Sequence, residues 1–173
     1  LHLAVSDTGW AKTAFGKLFG QWICGAAVLQ RNPIGGFNPK ITLSVIERFG
    51  VTTFCASPGV YRMLIQEDIS SYDLESLRFA LSAGEPLTSE IVKSWKEGTG
   101  LDIYEFYGQS ETVALLANFR CKPIKYGSIG LPTPGHTIAV VDEEGNELPP
   151  FEEGYVALKV NPVRPPGLML EYW

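Results

Sequence analysis

One octapeptide places a glycine, an amide, a hydroxyl and a carboxylate directly after an apolar run: Glu105-Phe106-Tyr107-Gly108-Gln109-Ser110-Glu111-Thr112. The glycine would let the backbone approach a ligand closely, and Tyr107 offers a flat face to a ring. Ser110 can hydrogen-bond a phosphate oxygen, and Glu111 can hold a hard cation such as Mg²⁺ through oxygen. The alternative is a polar turn without a ligand, and a short motif alone leaves both interpretations open.

The elements around this octapeptide predict an α/β fold with a parallel sheet. Apolar runs over residues 51–56, 78–83 and 101–106 have the length and β-branched or aromatic character of strands. Helices are predicted between them, near residues 39–49, 58–66 and 89–97. Asn38-Pro39 and Ser57-Pro58 are cap-and-proline pairs that begin two of them. This alternation builds a parallel sheet with right-handed crossovers.

The spacing of apolar residues also predicts which helix faces are buried. In the first helix, which Asp7 or Thr8 caps, the predicted inward face is Ala14, Leu18 and Trp22. In the second helix it is Ile41, Val45 and Phe49, and in the third it is Val60 and Leu64. In the last helix, which Thr88 caps, it is Ile91, Val92 and Trp95. Residues 25–29 are predicted as a short buried strand and residues 31–37 as a loop.

Two polar loops are predicted to leave the same edge of this sheet. Gly84-Glu85-Pro86 follows one strand, and the segment from Tyr107 to Glu111 follows the next. Neighbouring parallel strands lie about 4.8 Å apart. One ligand could therefore touch both loops, at the carboxyl ends of strands where open α/β sheets bind ligands.

The pattern changes near Lys122, where we predict a second, β-rich subdomain. Residues 138–141 and 155–160 are predicted strands, and no helix is readable there. We therefore divide the chain into an α/β subdomain (1–121) and a small antiparallel β-barrel-like subdomain (122–173). The acidic segment from Asp142 to Glu147 is predicted as a solvated turn in preference to a metal loop.

Composition excludes several classes of function. The net charge of −5 argues against a nucleic-acid surface, and no apolar run is long enough to predict a membrane span. The three cysteines are far apart and are predicted to be free thiols in a reducing compartment. The two histidines lack ligand spacing. Both ends interrupt the pattern of a domain, so we expect the chain to be an internal piece of a longer protein.

Three segments resemble motifs of one known family, in the order that the family has them. Tyr-Gly-Gln-Ser-Glu-Thr, residues 107–112, resembles the Tyr-Gly-Gln-Thr-Glu-Thr signature of the adenylate-forming superfamily of acyl-CoA synthetases, luciferases and peptide-synthetase adenylation domains. Residues 82–87 resemble its adenine-binding loop, and residues 127–135 its Gly-Ser-x-Gly-x-Pro-x-Pro-Gly segment. Residues 6–12 and 58–64 are most similar to mitochondrial medium-chain acyl-CoA synthetases.

The resemblance implies an ATP-dependent ligase that converts a medium-chain fatty acid to an acyl-adenylate and then to an acyl-CoA, with ATP, Mg²⁺ and coenzyme A. It implies a location in the mitochondrial matrix and leaves the oligomeric state open. Ser110 and Glu111 would be catalytic, with Glu111 on the metal. The implied nucleotide-binding residues are Gly84, Glu85, Pro86, Glu105, Phe106, Tyr107, Gly108, Gln109 and Ser110. For Trp10 we favour core packing, although the resemblance places its segment along the acyl pocket.

Several features of the family are missing or altered. The family's phosphate loop, its ribose-binding aspartate and its carboxyl-terminal lysine are not in this sequence, so we expect the 173 residues alone to be inactive. Ser110 replaces a threonine, Phe106 replaces a glycine or serine, and Tyr155 replaces an acidic residue. The alternatives are a non-catalytic, truncated nucleotide- or acyl-binding paralogue and a luciferase-like or peptide-synthetase-like relative.

Overall fold

The computed structural model describes residues 1–31 and 35–173, and its main feature is a seven-stranded mixed sheet. The strands are β1 (His2–Val5), β2 (Val28–Leu29), β3 (Thr53–Ala56), β4 (Phe79–Ser82), β5 (Ile103–Gln109), β6 (Val113–Ala117) and β7 (Leu131–Pro132). Their order across the sheet is β2-β1-β3-β4-β5-β6-β7. The first five are parallel, and β6 and β7 are antiparallel to their neighbours. The predicted α/β fold with three parallel strands is thereby confirmed.

Helices connect the parallel strands. They are a π-helix (Lys12–Phe19) continued by α1 (Gly20–Ile23), then α2 (Pro39–Phe49), α3 (Pro58–Leu64) and α4 (Ser89–Thr99), with a 3₁₀ turn at Ile69–Ser71. Asn38 caps α2 as predicted, because its side-chain oxygen accepts the N–H of Ile41 at 3.0 Å. Ser57 and Thr88 stand at the cap positions of α3 and α4, but neither side chain makes the capping hydrogen bond. No described helix is long and apolar enough to cross a membrane.

An aromatic cluster forms the centre of the core. The rings of Phe54, Tyr61 and Trp95 have centroids 5.0–6.3 Å apart, and all three side chains are fully buried. The predicted inward face of α4 is confirmed, since Ile91 and Val92 are buried together with Trp95. Leu64 of α3 is also buried, whereas Val60 is only partly buried.

The predicted inward face of α2 was wrong at two of its three positions, although Val45 packs partly against the core. Ile41 and Phe49 are about half exposed, and the buried side chains are Thr42, Leu43 and Ile46. The helix has two adjacent rows of apolar side chains. The core contacts the row next to the predicted one. Spacing of four residues identifies a row but does not determine which of two apolar rows faces the sheet.

The first helix also differs from the prediction. Residues 12–19 are π-helical, and the N–H of Gly20 donates to the carbonyl of Phe15, five residues earlier. This wider winding rotates the predicted face away from the core. The buried side chains are Thr13 and Lys17, whereas Trp22 is more than half exposed.

The strand β1 was not predicted from the sequence patterns. β1 has only four residues, and its first side chain, His2, is fully buried with Nδ1 2.7 Å from the hydroxyl of Thr53. The predicted strand at 25–29 is reduced to the two-residue edge strand β2, which is only partly buried. The predicted loop at 31–37 includes Asn32, Pro33 and Ile34, which lie outside the described residues.

The carboxyl-terminal third contains a two-stranded antiparallel sheet. Its strands are β8 (Ile138–Val141) and β9 (Tyr155–Leu158). Asp142 forms a turn as predicted, with its carboxylate accepting two hydrogen bonds from Asn146 at 2.7 and 2.9 Å. The structure contains two strands here and not a closed barrel. β7, although it follows Lys122, pairs with β6 in the large sheet.

Candidate functional site

The two predicted loops leave neighbouring parallel strands at one edge of the sheet. β4 ends at Ser82 and β5 continues to Gln109, and Ser82 pairs in register with Glu105. The loop at 83–87 and the loop at 110–112 therefore begin at adjacent carboxyl ends, which is the usual ligand position in such sheets.

A cavity of about 390 Å³ lies between these loops and the π-helix; we call it the first cavity. Its lining residues are Trp10, Ala11, Lys12, Phe15, Gly16, Ala83, Gly84, Phe106, Gly108, Gln109, Ser110, Val113 and Ala114. Six of the predicted site residues are thus brought together: Trp10, Gly84, Phe106, Gly108, Gln109 and Ser110. Five others lie outside the lining: Glu85, Pro86, Glu105, Tyr107 and Glu111.

Strand alternation explains why β5 divides its predicted site residues between two faces. Phe106 lines the first cavity, whereas Glu105 points to the opposite face. There the N–H of Leu87 donates to Oε1 of Glu105 at 3.2 Å, which ties the loop after β4 to β5. Burial raises the pKa of the Glu105 carboxyl, and the Leu87 N–H partly opposes that shift.

Gly108 is required by the close approach of the strand that follows. A Cβ at this position would overlap the carbonyl group of Val113, which belongs to β6. The pairing of β5 with β6 shifts register between Tyr107 and Gly108, and Val113 has a positive φ of 59°. The hydroxyl of Thr112 accepts the N–H of Gln109 at 3.2 Å and closes the turn. A β-bulge of this kind re-aims side chains beside a site.

Glu111 is partly buried and is held at both its backbone and its side chain. Its carbonyl accepts the N–H of Met169 at 2.7 Å, and its Oε1 accepts the phenol of Tyr172 at 3.0 Å. That hydrogen bond raises the pKa of Tyr172. The second carboxylate oxygen has no hydrogen bond from a described residue.

A single carboxylate fits Mg²⁺, because this ion usually binds to one or two protein carboxylates and completes its shell with phosphates and water. Within residues 1–31 and 35–173 no three histidine, cysteine or acidic side chains come together as a metal cluster. Glu111 would therefore hold the ion jointly with the phosphates of a bound nucleotide.

Trp10 lies in the wall of the first cavity, so the preference for core packing was wrong. Its side chain is 47 % exposed, and Lys12 Nζ stands 5.1 Å from the ring centroid. Lys12 Nζ also donates to the carbonyl of Ala83 at 3.1 Å. Burial lowers the pKa of Lys12, and nearby Cys55 and Glu85 oppose that shift.

Lys12 is a charged residue in the lining of the first cavity that the sequence patterns did not identify. It belongs to segment 6–12, which the sequence analysis identified by its family resemblance, but no role was predicted for Lys12 itself. Its ammonium connects the π-helix to the loop after β4 and stabilises the orientation of the Trp10 ring.

A parallel sheet with two polar loops at its carboxyl edge and an apolar cavity between them is an α/β arrangement of the kind that binds small ligands. Residues 3–173 match the family model described as AMP-binding enzyme, and the chain belongs to that family. The resemblance to adenylate-forming enzymes is thereby confirmed.

Individual relatives agree with this assignment. The chain is 47 % identical over 167 residues to the human mitochondrial acyl-coenzyme A synthetase ACSM3, covering 96 % of this chain and 28 % of that protein. It superposes on an acyl-CoA synthetase of Brucella canis with a TM-score of 0.86 and 32 % identity, over 93 % of this chain and 30 % of the other.

An anthranilate CoA ligase in complex with anthranoyl-AMP gives a TM-score of 0.84 at 31 % identity, over 94 % of this chain and 32 % of that one. The chain thus spans less than a third of the length of these relatives.

Proposed function

We propose that this chain carries the acyl- and adenine-binding part of an AMP-forming, ATP-dependent acid–CoA ligase. The observation that supports the proposal is the first cavity. Loops from two adjacent strands and the π-helix enclose it, and its walls are mainly apolar. A carboxylic acid with an aliphatic tail has the matching chemistry.

The aliphatic tail of the acid lies in the first cavity, against Trp10, Phe15 and Phe106. Its carboxylate lies towards Gln109 and Ser110, at the end of β5. A carboxylate oxygen attacks the α-phosphorus of ATP, and the bond to pyrophosphate breaks. The sulfur of coenzyme A then attacks the acyl carbon of the adenylate, AMP leaves with the electron pair of the broken bond, and the thiol proton passes to solvent.

The nucleotide lies at the carboxyl end of β4, beside the acyl tail, and Gly84 borders both ligands because it also lines the first cavity. There Gly84, Glu85 and Pro86 form one side of the adenine pocket and Tyr107 stacks on the ring. The Glu105–Leu87 hydrogen bond fixes the distance between these two walls.

Ser110 and Glu111 act on the phosphates that lie between the two substrates. The hydroxyl of Ser110 donates to a phosphate oxygen. Glu111 holds Mg²⁺, which when bound neutralises phosphate charge in the first step. Tyr172 keeps one oxygen of Glu111 occupied and so limits the rotation of the carboxylate.

The similarity to ACSM3, a mitochondrial acyl-coenzyme A synthetase, supports our proposals for substrate and location. For this protein we propose medium-chain fatty acids as substrates and the mitochondrial matrix as its compartment. We also propose that residues 1–121 and 122–173 are two subdomains joined through β7, which adds to the sheet of the first, and that residues 1–121 bind the substrates of the first step.

ATP–pyrophosphate exchange with hexanoate and octanoate tests the proposal on the full-length protein. Glu111→Gln keeps the size of the side chain and removes its charge, and we expect the exchange rate to fall at least about 10²-fold and the Mg²⁺ requirement to rise. Glu97→Gln, at an exposed position on α4, is the matched control.

The 173-residue chain is expected to show no exchange, because other donors of the reaction are outside it. Exchange that is unaffected by Glu111→Gln would reject the assigned role of that carboxylate. Absence of exchange from the full-length protein with all aliphatic acids would reject the proposed activity itself.

A further inference from the structure

A second cavity, of about 320 Å³, opens at the same edge of the sheet beside β1 and β3. Its lining residues are Leu3, Ala4, Val5, Ser6, Asp7, Trp10, Lys17, Arg31, Gly36, Phe37, Thr42, Val45, Ser57 and Val60. It shares only Trp10 with the first cavity. The carboxyl ends of two more parallel strands therefore border a cavity that the proposed reaction does not use.

Lys17 is the residue that distinguishes this cavity. Its side chain comes from the π-helix and is only 4 % exposed, and it makes no ion pair or hydrogen bond with a residue of the described ranges. Lysine is rarely buried to this extent without a partner. The three residues outside the described ranges, Asn32, Pro33 and Ile34, have no acidic side chain.

The charges around the cavity favour an anion. Lys17 and Arg31 contribute two cations, and Asp7 is the one acidic residue among the described lining residues. Oδ1 of Asp7 already accepts the N–H of Gly9 at 2.8 Å. Burial lowers the pKa of Lys17, and an anionic ligand beside its ammonium would offset that desolvation.

The rest of the lining is suited to a short aliphatic tail. Leu3, Phe37, Val45 and Val60 supply apolar surface on the side formed by β1, α2 and α3. The hydroxyl of Ser57 stands among them. A ligand for this cavity thus needs one anionic group and a few methylenes.

We propose that the second cavity is a separate binding site for a short aliphatic carboxylate, whose anionic group pairs with the ammonium of Lys17. The site is distinct from the one that binds the acid to be activated. The proposal depends only on the second cavity, and it holds whether or not the first cavity binds an acid for adenylation.

Isothermal titration calorimetry of the full-length protein tests the site with three probes of equal length: hexanoate, hexan-1-ol and hexylamine. We expect hexanoate to show two classes of site, one for each cavity. Hexan-1-ol is expected to bind the second cavity at least tenfold more weakly than hexanoate, and hexylamine is expected not to bind there.

Lys17→Met keeps the length of the side chain and removes its charge, so it is expected to abolish one class of hexanoate site. Lys17→Arg is expected to retain it. Lys40→Met is the matched control, since Lys40 on α2 is largely exposed and pairs only weakly with Glu67 at 3.8 Å. Phe106→Leu is expected to alter the other class and to leave the Lys17 class unchanged.

Thermal unfolding tests the proposal in the absence of a ligand. Because the charge of Lys17 has no partner among residues 1–31 and 35–173, Lys17→Met is expected to melt at the same temperature as the wild type or higher. Hexanoate binding in the wild type that is unchanged in Lys17→Met, with no class of site that depends on Lys17, would overturn the proposal. A lower melting temperature in Lys17→Met would show that Lys17 pairs with another part of the full-length protein, and that also overturns it.

Discussion

The backbone N–H of Leu87 donates to the buried carboxylate of Glu105 at 3.2 Å. This hydrogen bond joins the loop after β4 to the strand that carries the family signature. It also explains why an acidic residue stands in the interior of a strand. The carboxylate satisfies a loop N–H that the sheet ladder does not reach, and a buried donor of this kind needs a partner.

Glu105→Gln is predicted to change the pH dependence of stability. Burial raises the folded-state pKa of Glu105 above its ordinary value of 4.5, so the folded state holds the proton more tightly than the unfolded chain. The resulting stabilisation is present below pH 4.5 and is lost as the pH rises through the raised pKa. The free energy of unfolding of the wild type should therefore fall, relative to that of Glu105→Gln, between pH 4 and pH 7.

Urea unfolding of both proteins at several pH values measures this difference. Glu97→Gln, which removes an exposed carboxylate on α4, controls for the loss of one charge. A wild-type advantage over Glu105→Gln that grows towards pH 7 would contradict the assigned cause.

Gly108→Ala is predicted to destabilise the fold, because the added methyl would overlap the backbone carbonyl of Val113. Overpacking typically costs about 1–3 kcal/mol, and a backbone obstacle places this site at the upper end. Gly16→Ala is the control, since its methyl would lie at an ordinary 3.8 Å from the Lys12 side chain. Denaturation that gives equal free energies for the two variants would show that β6 moves freely away from β5.

Local patterns predicted the frame of the fold and most of the loops that carry the site. The strands β3, β4 and β5 and the buried face of α4 followed from short apolar runs and from an i, i+1, i+4 set of large residues. The turn at the end of β5 was predicted from the amide, hydroxyl and carboxylate side chains that it carries. These features depend on residues that are close in the sequence.

The features that were missed depend on tertiary contacts. α2 has two apolar rows, and only the contact with the sheet selects Leu43 and Ile46 over Ile41 and Phe49. The π-helical winding that buries Lys17 has no signal in the spacing of apolar residues. β1 escaped detection because it is four residues long and begins with a histidine.

Lys12→Met is predicted to loosen the Trp10 ring. The ammonium donates to the carbonyl of Ala83 at 3.1 Å and stands 5.1 Å from the ring centroid, and a thioether can replace neither contact. With 5-fluorotryptophan incorporated, the ¹⁹F resonance of Trp10, assigned through Trp10→Phe, should shift and narrow as the ring moves faster. The resonance of fully buried Trp95 is the internal control, and equal changes in both would indicate a global effect.

Phe106 is predicted to set the length of acid that the first cavity accepts. The ring lines the first cavity, so Phe106→Gly would extend the space available to the aliphatic tail. Each additional methylene that becomes buried contributes about 0.8 kcal/mol, or about fourfold in kcat/KM. The ratio of kcat/KM for octanoate to that for butyrate should therefore rise at least about tenfold in Phe106→Gly and by less in Phe106→Leu.

Phe79→Leu is the matched control, because Phe79 packs on Tyr104 at 4.6 Å outside the cavity lining. If Phe106→Gly and Phe79→Leu shift the ratio equally, the effect comes from general loosening of the sheet, and Phe106 does not limit the acyl chain.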